Sequence, residues 1–588
     1  MSKKHDECKT PDENDFEVVR RRPASSFPLG SRQNPADYVI VGLGTAGTPL
    51  ARFLSEDLTT SVIVLEAGEN RGDDPRVQNA FLFGDPGLAN DPRYSFARAF
   101  DSLDINPGLA GALNYPDHRL WGGGSSANGL SGVRSTRDIY DAWGAFNTQW
   151  SYSNLLPVML YMEQFNPNAT TPPNPAQRGF VGPLCITQDD PLPSNPLYTA
   201  IAAATNSPPF PPGYIDYNDP TYGDVGVTAS QWYRTAGPTP GATSVRCDAQ
   251  TAWLTPDVID PVTGLGVGGR KLTVLSRATA VKVIIENGTA VGVRYFFQDN
   301  PDDVREVFAR KKVILSAGTI ATAQLMQLSG IGPAALLTSL GIEVVLNNPH
   351  VGQHIDNHYG PNAAIRQAPD APFALRVDQF YTDISGNNIP QPPDGVRRAQ
   401  VYVLPFNAAI PHAILAALQI ENVPAYSFIG FLMRPQAEGE VNIVSIDPLT
   451  NPEIKFHYYQ GPGGLIDLQR SVDLYKVYAN ISLLYTGQMP LYPTAAQYPA
   501  GEYPGGMAAG NAGLEQAAKD VTLIAAYHAA GSCRMGDVVD GNLDVIGVPH
   551  LACADMSVAP VITTGNTAYP AYLIGLVKAK IEGATVPY

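Results

Sequence analysis

The chain has 588 residues and a net charge of −16, and at roughly 150 residues per domain it has room for about two to four folding units. That acidity excludes a coat for nucleic acid or for an anionic membrane, so no nucleic-acid partner is expected. A hydrophobic share of 44% excludes general disorder, and five cysteines without a CxxC spacing exclude a disulfide scaffold and a zinc ribbon.

Residues 1–35 mix Lys3, Lys4 and Arg20–Arg22 with Asp6, Glu7, Asp12, Glu13 and Asp15. They read as a polar N-terminal tail or a strap laid on the surface. The segment lacks the apolar run of a secretory signal, which predicts an intracellular, cytoplasmic protein. The sequons at Asn168, Asn287 and Asn480 are then chance occurrences.

At Asp37 the pattern changes. Tyr38–Val41 is a short apolar run ending in glycine, the mark of a buried parallel strand. Thr45–Leu54 suits a helix with Leu50, Phe53 and Leu54 on one side, and Ser61–Leu65 is a second buried strand. The turn between the first strand and the helix reads Gly42-Leu43-Gly44-Thr45-Ala46-Gly47, a G-x-G-x-x-G in the context that gives it meaning. Gly42 makes the turn, Gly44 lets a pyrophosphate touch backbone, and Gly47 lets helix and strand approach. The helix N-terminus offers free N–H groups to phosphates. Glu66 ends the second strand, where a carboxylate accepts from ribose hydroxyls and repels a 2′-phosphate, so NAD or FAD is preferred over NADP.

Residues 67–120 and 166–240 are loop-like and rich in Pro, Gly and Asp; long loops of this kind carry function or cover something. Val281–Val293 predicts two strands around the turn Asn287-Gly288. Val313–Leu315 predicts a buried strand, Thr319–Leu328 a helix and Val441–Ser445 a strand. The apolar stretch 408–420 contains Pro411 and His412 and is too short to span a bilayer, so no membrane span is expected. Phe373, Phe380, Tyr381 and Phe406 suit either an aromatic cavity or core packing. His350, His354 and His358 would share one face of a helix and could hold a metal, but Pro349 and Gly352 argue against that helix, and no metal is expected. Cys533 is read as a buried, inert thiol. Near the end, Tyr527–Gly536 contains His528, and Thr564-Gly565-Asn566-Thr567 opens a last helix.

Seven blocks in this order resemble the glucose–methanol–choline (GMC) oxidoreductase family, from about Asp37 to Lys580. They are Gly42–Gly47 with Glu66 and Gly68, Arg119–Gly129, Arg246–Leu254, Ser316-Ala317-Gly318 through Gly332, Val351–His358, Arg434-Pro435 with Gly439 and Asp447-Pro448, and the pair His528 and Asn566. His118, Thr322-Ala323, Cys247 and Ser532 depart from the commoner family residues, and none of them removes a group that the chemistry needs. The resemblance implies an α/β fold of mixed α+β character. A Rossmann-like FAD-binding domain would comprise 36–155, 240–350 and 520–588, with a discontinuous β-sheet substrate-binding domain from 156–239 and 351–519.

It also implies oxidation of a small-molecule alcohol to aldehyde or ketone, with O2 or another electron acceptor taking the electrons. His528 would be the general base, and Asn566, which has no basic lone pair, would hold the substrate oxygen. FAD contacts would fall to Gly42, Gly44, Thr45, Ala46, Gly47, Glu66, Ala67, Gly123, Gly124, Ser125, Asn128, Gly129, Val281 (beside the adenine), Ala317, Gly318, Asp555, Asn566 and Thr567. Ala127 stands where relatives that attach flavin covalently carry histidine, so the FAD is expected to be non-covalent. Two other readings stay open: a different flavin reaction, lyase or photodecarboxylase, and a structural or assembly protein that keeps the fold. A homo-oligomer also stays open.

Overall fold

The computed structural model describes residues 28–72, 74–79, 95–99, 114–167, 172–189, 196–205, 216–222, 225–235, 244–368, 378–384, 397–405, 423–507, 510–521 and 526–588. The first 27 residues of the tail, the stretch 408–420, the sequon at Asn168, and Phe373 and Phe406 lie outside them.

The elements that carry the first sheet are β1 (Ala36–Val41), α1 (Gly47–Leu54), β2 (Ser61–Glu66), β3 (Lys271–Ser276), β4 (Ala278–Glu286), β5 (Thr289–Phe297), β6 (Asn300–Leu315), α2 (Thr319–Leu328), β7 (Leu551–Cys553) and α3 (Ala568–Ile581). Their order is β4-β5-β6-β1-β2-β3, with β7 on the free side of β6. All residues of β1 and β2 are buried, as expected for parallel strands covered on both faces. β4 and β5 form an antiparallel hairpin. Its turn residues Asn287 and Gly288 have φ of +50° and +76°, the primed-turn geometry that matches strand twist.

β6 is longer than the apolar run Val313–Leu315 predicts. Its first half pairs antiparallel with β5, and its second half lies parallel between β1 and β7. The first half is largely exposed and charged, so it has no apolar signature. α3 is buried nearly all round and crosses the start of α1 so closely that a Cβ on Gly575 would stand 2.2 Å from the Ala46 carbonyl oxygen. Residues 28–35 do lie on the sheet: the Gly30 carbonyl accepts from Phe308 N–H at 2.8 Å, and Arg32 pairs with Glu286.

A second, five-stranded sheet runs in the order 362–366, 425–432, 399–405, 378–382, 226–229, antiparallel throughout. Its longest strand, Ala425–Leu432, is buried throughout and alternates its faces. Phe428 packs on Tyr478 of the helix Gly461–Thr486, while Ile429 and Phe431 face a cavity between the two sheets. Phe380 and Tyr381 are fully buried and absent from the cavity wall, so they serve packing. Cys533 is buried against Cys553. Among the described residues no helix is long and apolar enough to cross a membrane.

Candidate active site

The cavity encloses about 730 Å³ between the carboxyl ends of β1, β2 and β6 and the inner face of the second sheet. Most of the expected residues meet there: Gly42, Gly44, Thr45, Ala46, Glu66, Ala67, Gly123, Gly124, Asn128, Gly129, Ala317, Gly318, His528, Asp555, Asn566 and Thr567 all line it. Gly47, Ser125 and Val281 do not. A Cβ on Gly47 would meet the Gly42 carbonyl at 2.2 Å, so this glycine packs helix against turn. The Ser125 hydroxyl donates to the Gly122 carbonyl and accepts from Ala249 N–H, which fixes the loop from behind. Val281 falls in a β-bulge where the pairing of β4 with β5 slips, and Ala278, Thr279 and Ala280 line the wall instead.

The lower half of the cavity has the makings of a dinucleotide groove. A Cβ on Gly44 would come no closer than 3.9 Å to anything, and one on Gly124 or Gly318 would touch nothing within 4 Å. The wall there is bare backbone, and side chains would fill the space a ligand needs. Glu66 is buried and accepts from Leu43 and Gly68 N–H at 2.7 Å each. Burial outweighs these bonds and pushes its carboxyl up to about 7; each oxygen keeps a lone pair for a hydroxyl donor. Thr279 Oγ1 and His118 Nδ1 are buried without a hydrogen-bond partner among the described residues, and both residues line the cavity. Buried polar atoms left unpaired are costly, so these two point to a polar ligand.

The glycine loop is clamped from outside. Arg246 Nη1 donates to the Ser125 carbonyl and to the Asn128 carbonyl and side chain. Asp248 accepts from the Ser126 hydroxyl at 2.7 Å. Asp555 accepts from Gly318 N–H, Thr322 Oγ1 and Ser557 N–H, so its carboxylate holds the turn after β6.

His528 sits on a loop segment whose backbone is tied on both sides. Its N–H donates to Asn357 Oδ1 at 2.8 Å, and the Thr319 hydroxyl at the start of α2 donates to the Ala529 carbonyl. The imidazole touches two groups. Its Nε2 lies 3.1 Å from Asn566 Nδ2, and its Nδ1 lies 2.9 Å from Nδ1 of His358. Asn566 Oδ1 accepts from Tyr402 OH at 2.9 Å and Gln400 Nε2 at 3.2 Å. These donors turn the amide oxygen away from His528 and the amide N–H toward it. An N–H donor facing Nε2 requires a lone pair there, so the proton of neutral His528 lies on Nδ1, between the two histidines. Burial, then the neighbouring His358, lowers the His528 pKa well below the ordinary value. Burial likewise takes His358 down to about 3.

Sequence reasoning misses the residues that support this pair. Gln400 and Tyr402, both on the strand 399–405, and Ser131, whose hydroxyl lies 2.7 Å from Tyr402 OH, are distant from His528 and Asn566 in sequence and carry no local motif. His358 ends the Val351–His358 block and has a spacing suggestive of metal, and neither signal gives it a role beside His528. The aromatic wall is Tyr115, Trp232, Tyr402, Phe431 and Tyr527, none of them among the aromatics singled out earlier.

Two family models described as GMC oxidoreductase match the chain, over residues 100–360 and 435–575. A protein named oxygen-dependent choline dehydrogenase from Sinorhizobium fredii is 29% identical, the match covering 92% of this chain and 94% of that one. Its namesake from Vibrio vulnificus is 27% identical, covering 92% and 93%. Among solved structures, pyridoxine 4-oxidase from Mesorbium loti shares the fold with a TM-score of 0.72 at 24% identity, covering 93% of this chain and 98% of that one. A fungal aryl-alcohol oxidase shares it with a TM-score of 0.65 at 20% identity, covering 93% and 98%.

Proposed function

The chain belongs to the GMC oxidoreductases, and on that premise we propose that it oxidises an alcohol to an aldehyde or ketone, with FAD as cofactor and His528 as the general base. Bound FAD supplies the hydride acceptor, a chemistry that is the cofactor's own. The bare backbone at Gly44, Gly124 and Gly318 would hold the dinucleotide, Glu66 and the unpaired Thr279 hydroxyl would meet its polar groups, and Ala127 leaves no imidazole to attach it covalently.

The observation that carries the reading is the 3.1 Å contact between His528 Nε2 and Asn566 Nδ2 on the wall of this cavity. A hydroxyl set against both nitrogens displaces the Asn566 N–H from Nε2, gives its proton to that lone pair and accepts the N–H from Asn566. Low basicity keeps His528 neutral and ready to accept throughout the neutral range. Leu404, Ile429 and Phe431 exclude water above the pair and suit an uncharged alcohol with an apolar substituent. Residues 36–155, 240–350 and 520–588 would form the cofactor part, and 156–239 with 351–519 the cover. In support, every strand of the seven-stranded sheet falls in the first set and every strand of the five-stranded sheet in the second.

An anaerobic screen of aliphatic and aromatic alcohols against the yellow protein tests this. Loss of flavin colour with at least one alcohol, restored by air or an artificial acceptor, is expected. Absence of bleaching across the screen, or product formed without bleaching, favours a different flavin reaction.

A further inference from the structure

Outside the cavity, the turn that leads into His358 gathers a second set of ligating atoms. His350 Nδ1 and His354 Nε2 stand 3.3 Å apart, their rings inclined by only 22°. The Asp537 carboxylate brings a third atom, and all three lie within 4.8 Å of one another. The sequence argument against metal rests on the helix breakers Pro349 and Gly352, on the lack of an HExxH motif and on the match to the Val351–His358 block. No helix forms, yet a turn with His354 at φ +60° brings His350 and His354 together as one helical turn would, and leaves His358 buried against His528.

We propose that His350, His354 and Asp537 form a binding site for a divalent transition metal ion, with Zn²⁺ the best geometric match. Two nitrogens bound to Zn²⁺ at roughly 2.0–2.1 Å with tetrahedral angles stand about 3.3–3.4 Å apart, the separation found here. The tautomer is already set. His354 Nδ1 faces Glu438 Oε2 at 2.7 Å, which keeps the proton on Nδ1 and turns the Nε2 lone pair toward His350 and Asp537. A carboxylate behind a ligating imidazole is the usual support of a metal site. Glu438 is held in turn by Arg534 at 2.9 Å. Two imidazoles and one carboxylate suit zinc, cobalt, nickel or copper, whereas magnesium and calcium prefer an all-oxygen set. His350 and Asp537 are exposed, so the fourth position is open to water. The ion would tie the turn around His350 to the segment around Asp537. These are already joined by Gly352 N–H to the Ser532 carbonyl at 2.8 Å and by Asn348 Nδ2 to the Asp537 carbonyl at 3.0 Å. One of these segments continues to His358 and the other comes from His528, so the site would brace the supports of the base without touching the cavity.

Equilibrium dialysis of the untagged, FAD-loaded protein against Zn²⁺, with metal analysis and thermal melts, tests the site. One equivalent per chain, not displaced by excess Mg²⁺, and a melting temperature raised by Zn²⁺ are expected. His350→Ala and Asp537→Asn should lose both effects while keeping their flavin absorbance. Glu438→Gln should bind roughly 10- to 100-fold more weakly, and His457→Ala, a half-buried histidine elsewhere, should bind as the wild type does. No stoichiometric uptake by the wild-type protein, or undiminished uptake by folded His350→Ala and Asp537→Asn, overturns the proposal.

Discussion

Two donors decide how Asn566 faces its neighbour. Tyr402 OH and Gln400 Nε2 both reach Asn566 Oδ1, and the amide cannot flip without losing them. Tyr402→Phe removes the stronger contact at little change in volume. A hydrogen bond of this kind is worth about 1 kcal/mol, so the rate of flavin reduction should fall roughly fivefold with the FAD content unchanged; stopped-flow mixing measures it. The pH dependence belongs to the same few atoms. Because burial and His358 hold His528 far below the ordinary histidine pKa, the reduction rate should stay level as pH falls through about 6.5. A drop centred near that value in the wild-type profile would show that the base is not this buried imidazole.

At the level of elements, glycines separate cofactor binding from folding. Gly44 has open space where a Cβ would go, whereas Gly47 has the Gly42 carbonyl at 2.2 Å. Gly44→Val should therefore fold but purify colourless, its side chain filling the groove. Gly47→Val should melt well below the wild type, by circular dichroism, because α1 can no longer seat on its turn. β1, α1, β2 and the β4–β5 hairpin are legible from the residue order because each is continuous and has a clean apolar period or a committed turn. The helix Gly461–Thr486 gives no such signal. It opens on Gly461, Gly463 and Gly464, and its buried face includes Asp467, Ser471 and Ser482. Asp467 is buried because it accepts from Tyr359 OH and from Gln436 and Ala437 N–H, partners distant in sequence. The candidate site divides in the same way. Its glycines, His358 and the His528–Asn566 pair sit in recognisable blocks, while the contact of His358 with His528 and the donors Gln400 and Tyr402 come together only once distant segments have packed, and the bulge at Val281 only once its hairpin has paired.

At the scale of the whole molecule, the interior stores ionisable groups in their neutral forms: Glu66 and His118 on the wall of the cavity between the two sheets, His358 and Asp356 buried behind it. His118 and His358 are held at about 4 and about 3 by burial, against about 6.5 in an unfolded chain. Unfolding in acid therefore takes up protons, and stability that is full above about 6.5 is lost as pH falls toward those values. Glu66 and Asp356, raised to about 7 mainly by burial, act with the opposite sign: their contribution falls as pH rises from about 4 to 7. The two effects offset each other in mildly acid solution, and below about pH 4.5 only the histidines remain. His118→Gln removes one of these protons, so its melting temperature should fall less than the wild type's between pH 6.5 and pH 4, as read by calorimetry. Parallel slopes would show that His118 is not held neutral in the fold.

The central claim is that the imidazole of His528 takes the alcohol's proton inside a flavin-binding cavity. The most direct measurement is anaerobic flavin reduction in His528→Ala, with an alcohol that bleaches the wild-type protein. The variant should keep its FAD and its fold and reduce about 10²- to 10⁴-fold more slowly. A variant fully loaded with FAD that bleaches at the wild-type rate would contradict the account.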